Sequence, residues 1–99
     1  MNITITARKF KAHDTLKEYV RDEVSSLEKF SDDIMDADIV LSYQNQKESE
    51  KTAEIVLNVP GQVLKAEETT EDFKVSVAAA VEKLRRQIRK LKTKRIPHI

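Results

Sequence analysis

The sequence contains no cysteine, one glycine and two histidines among its 99 residues. Without cysteine there is neither a disulfide framework nor a thiolate metal site. The single glycine, Gly61, excludes the glycine-rich phosphate loops, which need several glycines at fixed spacing. His13 opens a predicted helix and His98 lies in the tail, so we expect no metal site and no catalytic triad. No carboxylate has an apolar setting that would raise its pKa. These shortages predict a protein that is not an enzyme, with no cofactor and no small-molecule substrate.

Long hydrophobic runs are also missing. No apolar stretch approaches the ~18 residues of a membrane helix, and Met1 leads into NITITAR without the apolar core of a signal peptide. We therefore expect a cytoplasmic protein with no membrane partner. The length corresponds to one domain, which we place at residues 1–95, followed by a short tail at 96–99.

Four segments alternate apolar and polar residues, which is typical of strands with one buried face. They read NITITAR, ADIVLSYQ, TAEIVLNV and QVLKAEE. Pro60-Gly61 between the last two predicts a type II turn, because proline suits its second position and glycine supplies the positive φ of its third.

Two segments repeat apolar residues at the spacing of an amphipathic helix. The first is predicted to begin near His13 or Asp14, with Asp14 as its cap, and to end around Phe30. The second is predicted to follow a cap at Thr69 or Thr70. Their apolar stripes consist of Leu16, Val20, Val24 and Leu27, and of Phe73, Val77, Val81, Leu84, Ile88 and Leu91.

The predicted element order is β-α-β-β-β-α. One-faced strands and helices with one apolar stripe bury those surfaces by packing together. We therefore expect an α/β fold, a two-layer sandwich in which two helices cover one face of a four-stranded mixed sheet.

The charge is distributed very unevenly. The formal net charge is +1, yet residues 83–95, KLRRQIRKLKTKR, hold eight basic residues and no acid. The first 82 residues hold ten basic and all 17 acidic residues. On a helical wheel the basic side chains fall on two flanks of the apolar stripe. One flank has Lys83, Arg86, Lys90 and Lys94, and the other has Arg85, Arg89 and Lys92.

The basic helix end indicates an anionic partner. Like charges three and four residues apart, with no acid to offset them, each cost a few tenths of a kcal/mol. Three readings remain open: a solvated helix end, a nucleic-acid surface, or a surface for acidic lipid or protein. We favour nucleic acid. Four of the five aromatic residues are assigned to the core, so backbone contacts to folded RNA fit better than base stacking.

The sequence resembles the ribosome hibernation-promoting factors, also called the ribosome-associated inhibitor or sigma-54 modulation protein family. The resemblance rests on LEKF at the end of the first helix and on NVPGQVLKAEETTEDFKVSVAAAVEKLRRQIRKLKTK. Its most specific part is an acid and an aromatic residue at the second helix start, Asp72-Phe73, followed by the pattern K-L-x-R-Q-[LI]-x-K-x-K. One departure is Lys74, which stands where many members have tyrosine.

The resemblance implies a fold like that of double-stranded-RNA-binding domains and a function on the ribosome. Such factors bind the small ribosomal subunit and its rRNA in the channel used by mRNA and tRNA, where they inhibit translation and preserve idle ribosomes. It also implies which basic residues contact RNA. Those matched by position are Lys83, Arg86, Lys90 and Lys92, with Lys29 and Lys17 on the first helix, while Arg85, Arg89 and Lys94 add charge.

The chain resembles the short type of the family, because it ends at Ile99 without a second dimerisation domain or an acidic tail. Short types in some lineages need a ribosome modulation factor to pair ribosomes, so such a factor is a possible further partner. Two other functions stay open. One is a general module for structured RNA, and the other is a protein-interaction module that contacts an acidic partner such as a sigma factor.

Overall fold

A computed structural model describes residues 1–44 and 49–95, with side chains up to Leu91. Its elements follow the predicted order β-α-β-β-β-α. The predicted tail at 96–99 and residues 45–48, in the polar connection before the third strand, lie outside the described residues. The elements are β1 (Asn2–Ala7), α1 (Asp14–Ser25), a 3-10 helix (Ser26–Lys29), β2 (Asp36–Tyr43), β3 (Lys51–Val59), β4 (Gln62–Thr70) and α2 (Phe73–Arg95).

The four strands form one mixed sheet in the order β1-β2-β3-β4. β1 pairs parallel to β2 across the α1 connection, and the other two pairs are antiparallel. Val59 pairs with Gln62, so Pro60 and Gly61 alone form the last hairpin loop. Gly61 has φ 76°, which is the positive value predicted for the third position of the turn.

The core lies between one face of the sheet and the two helices. Every second residue of β2, β3 and β4 points into it, which confirms the predicted alternation. Val20, Val24 and Leu27 contribute the first apolar stripe and are fully buried. Leu16 and Leu91, at the outer ends of the two stripes, are only partly buried. The second stripe is buried from Phe73 to Ile88.

The cap predicted for α1 is wrong. The capping position belongs to His13, whose side chain makes no capping hydrogen bond, and Asp14 is the first residue of the helix. The carbonyl of His13 already accepts the N–H groups of Leu16 and Lys17, at 3.0 and 3.1 Å. Asp14 instead places its negative charge in the first turn, where the helix dipole favours it.

The cap predicted for α2 is also wrong. Thr69 and Thr70 are the last residues of β4, and the Thr69 hydroxyl bonds the Thr52 hydroxyl of β3 at 2.6 Å. Asp72 caps the helix, because its carboxylate accepts the Lys74 N–H at 2.8 Å and its carbonyl accepts the Ser76 N–H at 2.9 Å. Strand pairing therefore extends two residues beyond the predicted end of β4, and the cap is Asp72 instead of a threonine.

Candidate nucleic-acid interface

The predicted basic surface is the C-terminal half of α2, which the core holds rigidly. Leu84 and Ile88 are 0% and 2% exposed and anchor this half to the sheet. The polar residues around them therefore lie on the sides and outer face of the helix. Four of its basic side chains are exposed, and Arg85 is half-buried. The exposed ones are Lys83, Arg86, Arg89 and Lys90.

One flank of α2 lies beside β4. The Lys83 Nζ forms an ion pair of 2.7 Å with the Glu68 carboxylate. One turn later, the Gln87 side-chain amide donates to the Lys65 carbonyl at 3.0 Å. Lys90 lies after that bond, at a shallow depression that it shares with Gln87. This flank thus ties the helix to the edge strand and leaves Lys90 at its far end.

The other flank of α2 lies beside α1. The Arg85 guanidinium donates two hydrogen bonds to the Glu82 carboxylate, one of them 2.9 Å long, and lies 5.8 Å from the centroid of the Phe30 ring. The bond from Arg85 is the main reason that the pKa of Glu82 is lowered. The pKa of Arg85 is raised in turn, chiefly by the same bond. Arg86 is also near Glu82, at 3.5 Å.

The expectation that no acid offsets this cluster is wrong. Glu82 lies one residue before the basic segment and reaches Arg85 and Arg86 from one turn away on the same helix. Glu68 reaches Lys83 from β4. The segment still has more cations than these two acids can balance. Lys90 forms no ion pair with the acids that the structure describes.

The residues predicted on the first helix lie at different distances from this surface. Lys29 is exposed and ends the 3-10 helix, and the residue after it, Phe30, is the one that contacts Arg85. Lys17 is half-buried near the start of α1, where Tyr19 contacts Lys74. Lys74 lies nine residues before Lys83, or about 13 Å along α2 at 1.5 Å per residue. Lys92 and Lys94 belong to α2, and their side chains lie outside the described ones.

A second group of cations was missed by the sequence reasoning. Arg8, Lys9 and Lys11 lie in the connection between β1 and α1, and all three are exposed. Among the described residues they form no ion pair. The connection has no periodicity, so pattern reasoning treated it as a loop. A signal was available, because the first thirteen residues contain no acid.

Two further properties concern what the site can hold. In the part of the chain that the structure describes, no group of three or more His, Cys, Asp or Glu side chains could hold a metal ion. Within the same residues, no helix is both long enough and apolar enough to cross a bilayer. What the described surface offers is cationic side chains on a rigid helix.

Comparison with known proteins identifies the family. The model of the Sigma 54 modulation protein / S30EA ribosomal protein family matches residues 3–96. A ribosome hibernation promotion factor of Deinococcus radiodurans is 33% identical over 91% of this chain and 48% of its own length, and one of Bacillus subtilis is 31% identical over 95% and 50%. The chain therefore spans about half the length of these curated relatives.

Solved structures agree with the fold. The N-terminal domain of Thermus thermophilus Protein Y is 27% identical and matches with a TM-score of 0.81 over 92% of this chain and 99% of that domain. A ribosomal subunit interface protein from Coxiella burnetii, at 20% identity, has the same fold with a TM-score of 0.85 over 94% of this chain and 99% of its own. With the family model covering nearly every residue, the chain belongs to the Sigma 54 modulation protein / S30EA ribosomal protein family.

Proposed function

We propose that this protein is a ribosome hibernation factor. It binds the small ribosomal subunit through rRNA in the channel for mRNA and tRNA, inhibits translation and preserves idle ribosomes under stress or in stationary phase. The observation that carries the proposal is the match to hibernation promotion factors over more than 90% of the chain. The exposed basic half of α2 supplies a surface with the chemistry that RNA binding requires.

Direct phosphate contact is assigned first to Lys83, Arg86 and Lys90. They are exposed and lie on one helix that buried Leu84 and Ile88 hold against the sheet, so the backbone that carries them is in place before RNA arrives. Two of them already hold carboxylates, at 2.7 and 3.5 Å. Exposed ion pairs contribute only about 0–1 kcal/mol. Replacing a carboxylate by a phosphate therefore costs little.

Other predicted residues have a supporting place in the proposal. Arg89, Lys92 and Lys94 continue the basic helix, and Lys29 extends it onto the end of the 3-10 helix. The guanidinium of Arg85 already bonds Glu82 and lies against Phe30. It is therefore assigned a contribution to the positive potential and not a direct phosphate contact. Lys17, on a different part of the surface, is assigned the smallest contribution.

Three charge-removing substitutions test the proposal together: Lys83→Gln, Arg86→Gln and Lys90→Gln. Glutamine keeps helix propensity nearly constant, and losing two exposed ion pairs costs at most about 2 kcal/mol. Co-sedimentation with small subunits on sucrose gradients should fall steeply. The slope of log affinity against log salt should flatten by roughly 0.7–0.9 for each phosphate that the variant no longer binds. Cell-free translation should lose its inhibition in parallel.

Lys65→Gln provides the matched control. Lys65 is an exposed lysine whose ion pair with Glu54 is 3.3 Å long, but it lies on β4 and points to the other face of the sheet. Its removal should leave sedimentation and inhibition unchanged. If the triple variant binds subunits and inhibits translation as well as wild type, the basic half of α2 is not the binding surface. Equal affinity for unrelated structured RNA would instead favour a general RNA-binding module.

A further inference from the structure

The connection between β1 and α1 concentrates positive charge. Arg8, Lys9 and Lys11 lie within four residues, and no acid precedes Asp14 in the chain. All three side chains are exposed. Unlike Lys83, Arg85 and Arg86 of α2, they hold no carboxylate within the described part of the chain. An external anion can therefore bind these side chains without first breaking an ion pair to a described carboxylate.

The connection is fixed in place at two points. The Arg8 N–H donates to the Leu41 carbonyl of β2 at 2.9 Å. The Phe10 ring stacks on Phe73, the first residue of α2, at 5.1 Å and 9° between planes. It also meets Tyr43 edge-on at 5.1 Å. The three cations therefore lie on an anchored segment, so the loss of conformational entropy on binding falls on their side chains and not on the backbone.

Lys9 has an unusual backbone conformation. Its φ is 62°, and it is the one non-glycine residue with positive φ in the described chain. This left-handed region suits glycine and asparagine and is unfavourable for a residue with a long side chain. Held strain of this kind is found most often at functional positions. Here the residue with positive φ is itself an exposed cation, and it lies between Arg8 and Lys11 in the sequence.

The surroundings of the connection are mixed in charge. The Lys51 ammonium lies 6.0 Å from the Phe73 ring centroid and adds a fourth cation. The acids at this end of the molecule include Asp14, Glu71 and Asp72. The carboxylate of Asp72 is already used by the Lys74 N–H. None of them forms an ion pair with the three cations of the connection.

The connection lies far from the basic half of α2. Because Phe10 stacks on Phe73, its distance from Lys90 is set by seventeen residues of helix, which is about 25 Å. At that separation a single phosphate group cannot contact both the connection and Lys90. Each end must therefore meet different phosphates if both bind RNA.

We propose that Arg8, Lys9 and Lys11 form a second surface that binds RNA phosphates, so that the protein contacts RNA at both ends of α2. This inference rests on the proposed function and adds a second binding surface to it. The basic half of the helix lies at the C-terminal end of α2, and the connection after β1 lies at its N-terminal end. Binding at two separate places would fix the orientation of the protein on its RNA.

The test uses the full chain carrying Lys9→Gln and Lys11→Gln. Affinity for purified small subunits is measured over a series of salt concentrations, with Lys65→Gln as control. The double variant should bind roughly tenfold or more weakly, and the salt slope should flatten by about 1.4–1.8 because two phosphates are no longer neutralised. Combined with the triple variant of α2, the effects should add in log affinity, because the two ends are far apart.

Lys9→Gly separates charge from folding. Glycine tolerates φ 62°, so the thermal midpoint should hold or rise, while subunit affinity should still fall. Unchanged affinity and salt slope in the double variant, with wild type and α2 variants behaving as proposed, would overturn this inference alone. Failure of the wild-type protein to bind small subunits would overturn it together with the proposed function.

Discussion

Leu84 is the residue on which the attachment of the basic half of α2 depends. Its side chain is fully buried between helix and sheet. Leu84→Ala should lower the free energy of unfolding by roughly 2–5 kcal/mol, because it removes buried apolar atoms and leaves a cavity. Urea denaturation measures the loss. Leu91→Ala, at a partly buried position of the same stripe, should cost less, and a loss below about 0.5 kcal/mol for Leu84 would place it outside the core.

Glu82 should titrate below the usual range of a glutamate. The hydrogen bond from Arg85 stabilises the charged carboxylate and lowers its pKa in the folded state. The pair therefore adds stability above the pKa that Glu82 has in the unfolded chain, and this stability is lost as pH falls through the lowered folded value. NMR titration of the Glu82 carboxyl carbon measures the pKa directly.

Arg85→Gln is the control for that titration. It should return the pKa of Glu82 toward its usual value, whereas Lys90→Gln, which leaves both hydrogen bonds in place, should change it little. A Glu82 pKa that is the same in wild type and in Arg85→Gln would contradict the described pair.

At the scale of the elements, α2 depends on a cap that precedes it. Asp72→Ala removes the carboxylate that accepts the Lys74 N–H and should destabilise the protein by about 1 kcal/mol, within the range 0.5–2 for such caps. Thermal and urea unfolding measure the change. Glu71→Ala, at the exposed neighbouring position, is the control and should change stability by less than about 0.5 kcal/mol. Equal losses for both would remove Asp72 from the capping role.

Periodicity was sufficient to predict the order of strands and α-helices, because burial of one face imposes it on each of them. It did not separate α1, which ends at Ser25, from the 3-10 helix that follows and ends at Lys29, near the predicted end at Phe30. Both caps were mispredicted for a physical reason. A cap is the residue whose hydroxyl or carboxylate reaches a free N–H in the first turn of the helix. Because β4 continues two residues further than predicted, the helix starts later and a later residue, Asp72, is its cap. Thr70 is a good cap by residue type, yet pairing with Lys51 keeps it in β4.

The candidate site was predictable where it depends on local charge and not where it depends on packing. The run from Lys83 to Arg95 is visible in the sequence. Its pairing with Glu68 is not, because that acid comes from a strand fifteen residues earlier and meets Lys83 only when α2 packs on β4. The cations at Arg8 to Lys11 lie in a segment without periodicity, so only the fold shows that the segment is anchored and that they form no ion pair with the described acids.

At the scale of the whole molecule, the two faces of the sheet have different roles. One face is covered by the helices, and the open face carries acids such as Asp38, Glu54 and Glu67, with Lys65 paired to Glu54. This open face is not expected to meet RNA. Glu54→Lys should therefore leave small-subunit affinity within about threefold of wild type at physiological salt, since distant surface charges are screened.

The same sedimentation assay measures this affinity. Urea unfolding of the Glu54→Lys variant is the stability control, because the substitution removes the Glu54–Lys65 ion pair, which contributes about 0–1 kcal/mol. A gain or loss of tenfold or more from Glu54→Lys would mean that the open face lies against the ribosome. The expectation that RNA meets the basic half of α2 and not the open face would then be wrong.

The agreement between sheet order and chain order has a consequence for how the protein folds. β2, β3 and β4 pair with their immediate neighbours in sequence, so their turns close short loops. β1 pairs only with β2, some thirty-four residues away, and that pairing must wait for α1 to cross over. Closing the longer loop costs more entropy. The meander with α2 should therefore form the folding nucleus, β1 should dock late, and native-state hydrogen exchange should find β1 the first strand to open.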